Sequence, residues 1–188
     1  MLKKLVGLSD EAQRVAFLSR HRSRLRPEIV MELTDRVREQ VRVDVQHALH
    51  IADTALAIAK ELNDKGSMAW ALRGKANALY AKGEYAAAVA LHEEAVVLFE
   101  SIGKTQEVAR TLSTSIQPLH LMGEYSRAFA AGERARKIFT AEGNTWRLAR
   151  LEINIGNVYY RQDRFAEALA SWERAYQGLP PTVRARPR

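Results

Sequence analysis

The chain repeats itself at a spacing of 40 residues. Gly83-Glu84-Tyr85 returns as Gly123-Glu124-Tyr125 and again as Asp163-Arg164-Phe165. Ala88, Ala128 and Ala168 keep the same register, as do Ala95, Ala135 and Ala175. Ala48 and Ala55 stand one interval earlier, in a degenerate fourth copy. A period of this length is the mark of a solenoid, whose units bury their apolar faces only by stacking on their neighbours.

Each copy reads as two helices. "SMAWALRGKANALYAKG" and "EYAAAVALHEEAVVLFES" carry apolar residues at helical spacing and are broken at Gly83 and Gly103. The second copy spans about 105–122 and 124–141, and the third about 145–162 and 164–178. Upstream, "PEIVMELTDRVREQV" opens with Pro27 at a favoured first-turn position, and "DVQHALHIADTALAIAKEL" follows as its partner. Ser9-Asp10-Glu11 opens a further short helix, to about His21, that has no place in the register and is expected to cover the first repeat. The recurring alanines let helix backbones approach closely, and Tyr85, Leu98, Tyr125, Phe129 and Phe165 are expected to fill the grooves between them.

The period also disposes of the one stretch that looks catalytic. Gly103-Lys104-Thr105 has the end of a phosphate-binding loop, but Leu98 stands where that loop needs glycine. The equivalent triplet 40 residues later is Gly143-Asn144-Thr145. What persists is the turn: glycine to end a helix in the left-handed conformation, threonine to cap the next. His92-Glu93-Glu94 fails as a zinc-protease motif because Val96 replaces the second histidine. His47 and His50, with Asp44 and Asp53, spread around a helix rather than converging, so no metal site is expected. No cysteine is present, which excludes disulfides, thiolate zinc sites and cysteine nucleophiles.

Composition fits this reading. The chain is 47% hydrophobic and only 7% aromatic, which suits closely packed helices. The apolar stretch after Met1-Leu2-Lys3-Lys4 is too short for a secretory signal, so a cytoplasmic protein is expected. The formal charge is +7, with Arg20, Arg22, Arg24 and Arg26 in one run and Arg184, Arg186 and Arg188 in another. No aromatic residues interleave with them as stacking platforms, so they read as solvated charge more than as a nucleic-acid surface.

The pattern resembles the tetratricopeptide repeat family. "GNVYYRQDRFAEALASWERAY", from Gly156, matches its consensus of Gly-Asn, a tyrosine pair, an aromatic after the turn and two alanines seven apart. "KANALYAKGEYAAAVALHEEAV" follows it with Ala76 in place of the first glycine. The middle copy departs, with Ile116-Gln117-Pro118 where Gly-Asn is usual, and Pro118 is expected to kink its helix. The family's usual period is about 34 residues, so these repeats are nearly two turns longer. They look like the arrays of kinesin light chains and of bacterial regulatory proteins, some of which carry a caspase-like (CHAT) peptidase after the array. The resemblance covers about residues 43–178. It implies an all-α, right-handed α-α superhelix and a non-enzymatic protein- or peptide-binding scaffold or adaptor, with no cofactor. The implied division is a capping helix and basic linker at 1–26, a degenerate helix pair at 27–66, three repeats at 67–178 and a disordered basic tail at 179–188.

In this family the first helix of each pair lines the concave, binding surface. The register turns that into columns: Asn77, Gln117 and Asn157; Tyr80, His120 and Tyr160; Trp70, Arg110 and Arg150; Gly74, Thr114 and Asn154. Arg150, Asn154, Asn157 and Arg161 share one helix face. With Arg73 they form an expected groove rich in amides and arginines, suited to a peptide main chain and to carboxylates, including a free C-terminal one. Leu169, Trp172 and Tyr176 are expected to stay partly exposed, offering a surface for self-association. Two alternatives remain open at this point: a regulatory arm of a larger protein such as a CHAT peptidase, and a weak nucleic-acid binder acting through its arginines.

Overall fold

The computed structural model describes residues 10–179 together with Leu5 and Gly7. The basic tail expected at the C-terminus lies outside the described residues beyond Leu179. Among the described residues there are nine α-helices and no strand. They are α1 (Glu11–Arg20), α2 (Pro27–Gln40), α3 (Val45–Leu62), α4 (Lys65–Lys82), α5 (Tyr85–Ser101), α6 (Thr105–Leu121), α7 (Tyr125–Ala141), α8 (Thr145–Tyr160) and α9 (Phe165–Gly178), with a 3-10 turn at Arg22–Arg24. None of these helices is long and apolar enough to cross a membrane. The helices divide into two compact units, Met1–Lys104 and Thr105–Arg188.

In the first unit α1 packs on α3, α2 pairs with α3, α4 pairs with α5, and α4 also packs on both α2 and α3. In the second unit α6 pairs with α7, α8 pairs with α9, and α8 packs on both α6 and α7. This is the stacking of an α-solenoid within each unit: a first helix lies against the first and second helices of the pair before it.

Helix ends follow local chemistry. Asp10, Asp44 and Asp64 cap α1, α3 and α4, each carboxylate accepting a backbone N–H three residues on. At α8 the cap differs from the sequence expectation. Asn144 accepts from the Arg147 N–H at 3.2 Å, and Thr145 is already the first helical residue. In Gly-Asn-Thr the asparagine, one residue closer to the turn, is the side chain that reaches the free donor. Thr105 is likewise the first residue of α6.

The other ends show a finer rhythm than the 40-residue repeat. Asn63, Gly83, Gly103, Gly123, Gly143 and Asp163 all have positive φ, from 50° to 91°. They stand 20 residues apart, one after every helix from α3 to α8. A Cβ added at any of the four glycines would meet nothing within 4 Å, so the backbone conformation and not crowding selects glycine there. At Gly83 the N–H bonds Tyr80 O at 3.0 Å and the Glu84 N–H bonds Leu79 O at 2.9 Å, the paired closure of a Schellman motif. The same pair of bonds closes the helices at Gly103, Gly123, Gly143 and Asp163.

The alanine columns are the core. Ala48, Ala88, Ala128 and Ala168 are 0% exposed. Ala55, Ala95, Ala135 and Ala175 are equally buried, and Leu33, Ile58, Phe99, Phe139, Ile116 and Leu151 fill the space between helices. Gly132 sharpens the point, since a Cβ there would lie 3.0 Å from the Ile155 side chain of α8. Phe165, expected in a groove, is instead 57% exposed, its ring 5.6 Å from that of Tyr160. Leu169 and Tyr176 are also exposed, and Trp172 is half-buried against Gly156. Pro118 sits buried inside α6, which continues past it to Leu121.

Candidate functional site

In the second unit the first helices α6 and α8 lie side by side and bring most of the expected site residues together. At the centre is a closed amide network. Gln117 Nε2 donates to Asn154 Oδ1 at 2.9 Å, and Asn154 Nδ2 donates to the Ser113 carbonyl at 3.0 Å. His120 Nε2 lies 3.0 Å from Gln117 Oε1. The Gln117 oxygen is an acceptor only, so His120 donates from Nε2, and its Nδ1 has no partner. Burial, then the charge of Arg161, holds the His120 pKa below the usual imidazole value. The amides therefore staple α6 to α8, and two of the groups expected to grip a peptide main chain spend part of their capacity on each other.

Charge surrounds this staple. Near the N-terminal ends, Arg110 of α6 is paired with Glu107 at 2.8 Å. Arg147 of α8 has its pKa lowered by burial first and then by the Arg110 charge, with Arg150 contributing, against the opposing influence of Glu107 and Glu142. Three guanidiniums thus crowd one end of the face. Thr114, Arg150, Tyr160 and Arg161 are exposed, while Asn157 is half-buried. Arg147 was not among the residues singled out from sequence. Its position three before Arg150, one turn away on the same helix, was the available signal.

In the first unit Asn77 and Tyr80 are half-buried on α4. The Tyr80 ring is 6.0 Å from that of Tyr85, and burial raises its hydroxyl pKa. Arg73 departs from the expected groove. It is only 5% exposed, and its guanidinium lies 4.4 Å from the Trp70 ring centroid and 5.2 Å from that of Phe99. Those two rings meet edge to face at 5.7 Å and offer the cation a π surface inside the unit. Beside it His92 is 1% exposed, with no hydrogen-bond partner on either ring nitrogen.

A second concavity lies on the other side of α8 from Arg150 and Asn154. Glu133 and Arg136 of α7, Thr145 and Glu152 of α8 and Arg174 of α9 line a cleft of about 590 Å³. Its floor is Glu152, 5% exposed and bound by both arginines. The signal for this cleft was in the register, where Glu152 stands in the column of Leu72 and Leu112.

Asp44, Asp53 and His50 have structural contacts of their own. Asp44 caps α3, Asp53 pairs with Lys75 at 2.8 Å, and His50 meets Arg14. Among the described residues, no group of three or more His, Cys, Asp or Glu side chains is placed to hold a metal ion.

Residues 68–102 and 153–178 match the model of the tetratricopeptide repeat family. No curated protein matches the sequence. Among solved structures, that of BtubC (BKLC) from P. vanneervenii is similar with a TM-score of 0.70, at 21% identity, over 96% of this chain and 75% of that one. At that identity the likeness carries the fold alone. Repeats of this family generally mediate protein–protein interactions. Register and helix pairing agree with the family match, and over residues 68–102 and 153–178 the chain is similar to the tetratricopeptide repeat family.

Proposed function

We propose that the protein is a non-enzymatic, cytoplasmic adaptor that holds a protein or peptide partner along the first helices of its repeats. In the second unit the contact surface is the α6/α8 face. The observation that carries this reading is the grouping of Arg110, Arg147 and Arg150 at one end of that face and Arg161 at the other, around an amide staple. The staple holds the two helices in fixed register, so the arginines are presented on a rigid support. Guanidinium groups at two ends of a rigid face favour a segment carrying carboxylates, because paired N–H donors match carboxylate geometry. Asn157, Thr114 and Tyr160 supply polar contacts between them. In the first unit, taken by itself, Asn77 and Tyr80 hold the equivalent register positions on α4, with Arg73 turned inward and left out of the contact surface.

The test is a panel of fluorescent peptides of equal length and differing net charge, titrated against the full chain. Acidic members should bind more tightly. The double variant Arg150→Glu/Arg161→Glu should weaken them at least about tenfold while leaving the thermal midpoint unchanged, since both residues are exposed. Equal affinity for acidic and basic peptides, or no response to the double variant, would exclude this surface. Preferential binding of RNA with a steep salt dependence would replace the proposal with a nucleic-acid one.

A further inference from the structure

The first unit contains a cavity of about 290 Å³ between α1, α3 and α4, lined by Arg14, Asp53, Leu56, Lys60, Glu61 and Lys75. Arg14 is the unusual member. It is 8% exposed, yet its side-chain contact is a long one, Nη1 to His50 Nδ1 at 3.4 Å. Among the described residues, no carboxylate lies within ion-pair distance of it. Asp53, the nearby candidate in the cavity wall, is held by Lys75 Nζ at 2.8 Å. A buried guanidinium without a counter-ion carries a desolvation cost that a distant imidazole does not offset.

We propose that this cavity binds a small oxyanion, with Arg14 as its main contact and Lys60 at its rim. Cancelling Asp53 against Lys75 leaves Arg14 and Lys60 facing Glu61, a lining with one positive charge in excess. The volume sets the size. It holds several water molecules and falls at the lower limit for drug-sized ligands. A phosphate-sized anion with a few waters fits. Because the lining comes from α1 as well as α3 and α4, an anion held there ties the N-terminal helix to the repeat. This site is independent of the α6/α8 face.

The probe is inorganic phosphate added to the full chain, followed by calorimetric titration and thermal denaturation against chloride of matched ionic strength. Expected are saturable one-to-one binding and a rise of a few degrees in the midpoint at about one hundred times Kd. Sulfate and acetate arms distinguish a general oxyanion site from one tuned to phosphate or to carboxylate. Arg14→Gln should lower phosphate affinity at least about tenfold. Because that change also touches the packing of α1, Lys60→Gln provides a second readout at an exposed position, with a smaller loss of affinity and an unchanged midpoint without phosphate. Absence of saturable binding would overturn the proposal. So would phosphate binding that survives both variants, which would place the anion elsewhere, as on the arginines of the second unit.

Discussion

Glu152 and Arg136 meet across the α7–α8 joint, with the carboxylate Oε1 2.7 Å from guanidinium Nη2. Arg174 of α9 takes the other oxygen at 3.0 Å, so one carboxylate ties three helices together. Arg136 also bonds Glu133, and these hydrogen bonds together hold its pKa up against the opposing effect of burial.

Removing the central carboxylate should therefore cost more than removing the whole network. Glu152→Ala leaves two guanidiniums around a vacated floor, and breaking a buried pair typically costs about 3–5 kcal/mol. The half-exposed Arg174 can turn to water, so about 2–3 kcal/mol is expected here. The double change Arg136→Leu/Glu152→Leu restores the leucines found at Leu56 and Leu72 eighty residues earlier and should fall within about 1 kcal/mol of the parent. Urea denaturation measures both, and equal losses would contradict the account.

His92 makes the fold sensitive to acid. Burial, and then the charge of Arg73, pushes its pKa from 6.5 down to about 3. Below about pH 6.5 the unfolded chain takes up this proton and the folded one does not. Stability should thus fall as pH drops from about 6.5 toward 3, by up to about 1.4 kcal/mol per pH unit from this group. His92→Leu should flatten that limb of the stability–pH profile. A profile of unchanged slope would show that another group titrates.

Ala128→Leu should destabilise the second unit by about 1–3 kcal/mol, because Ala128 is 0% exposed and added methylenes must displace packed neighbours. Arg127→Ala, next to it on the solvent side, should change stability by less than about 0.5 kcal/mol. Coincident denaturation curves for the two variants would contradict the repeat register.

Gly156→Ala tests the last joint. A Cβ there would lie 2.3 Å from Nε1 and 2.5 Å from Cδ1 of Trp172, so the indole must move. A cost of about 1–3 kcal/mol is expected, with a shift in tryptophan emission. Unaltered emission and midpoint would show that the indole is not seated on this glycine.

The repeat was legible in the sequence because its cause is local and recurrent. A small residue at each close contact and a left-handed residue at each turn leave the same letters at the same interval. Side chains whose environment comes from another helix were less legible. Arg73 was placed in an arginine-rich groove, but Trp70 and Phe99 draw it inward, and that pairing joins positions 26 residues apart across two helices. The amide column was visible, whereas its bonding pattern was not. Gln117 bonds Asn154 rather than its register mate Asn157, because reach between adjacent helices offsets the pairing by about one turn. Asn144 was overlooked as a cap because threonine, the residue preserved at both turns, drew the assignment one position too far.

The left-handed residues at every twentieth position also limit how such a chain can change length. Within each unit successive helices run in opposite directions, so excising 20 residues between equivalent turns of a unit would reverse the helices that follow in it and turn their buried alanines out of place. Excising 40 would leave direction and register intact. A gene encoding this architecture can therefore lengthen or shorten only in steps of two helices, and Asn63 and Asp163 hold the same left-handed turn without glycine.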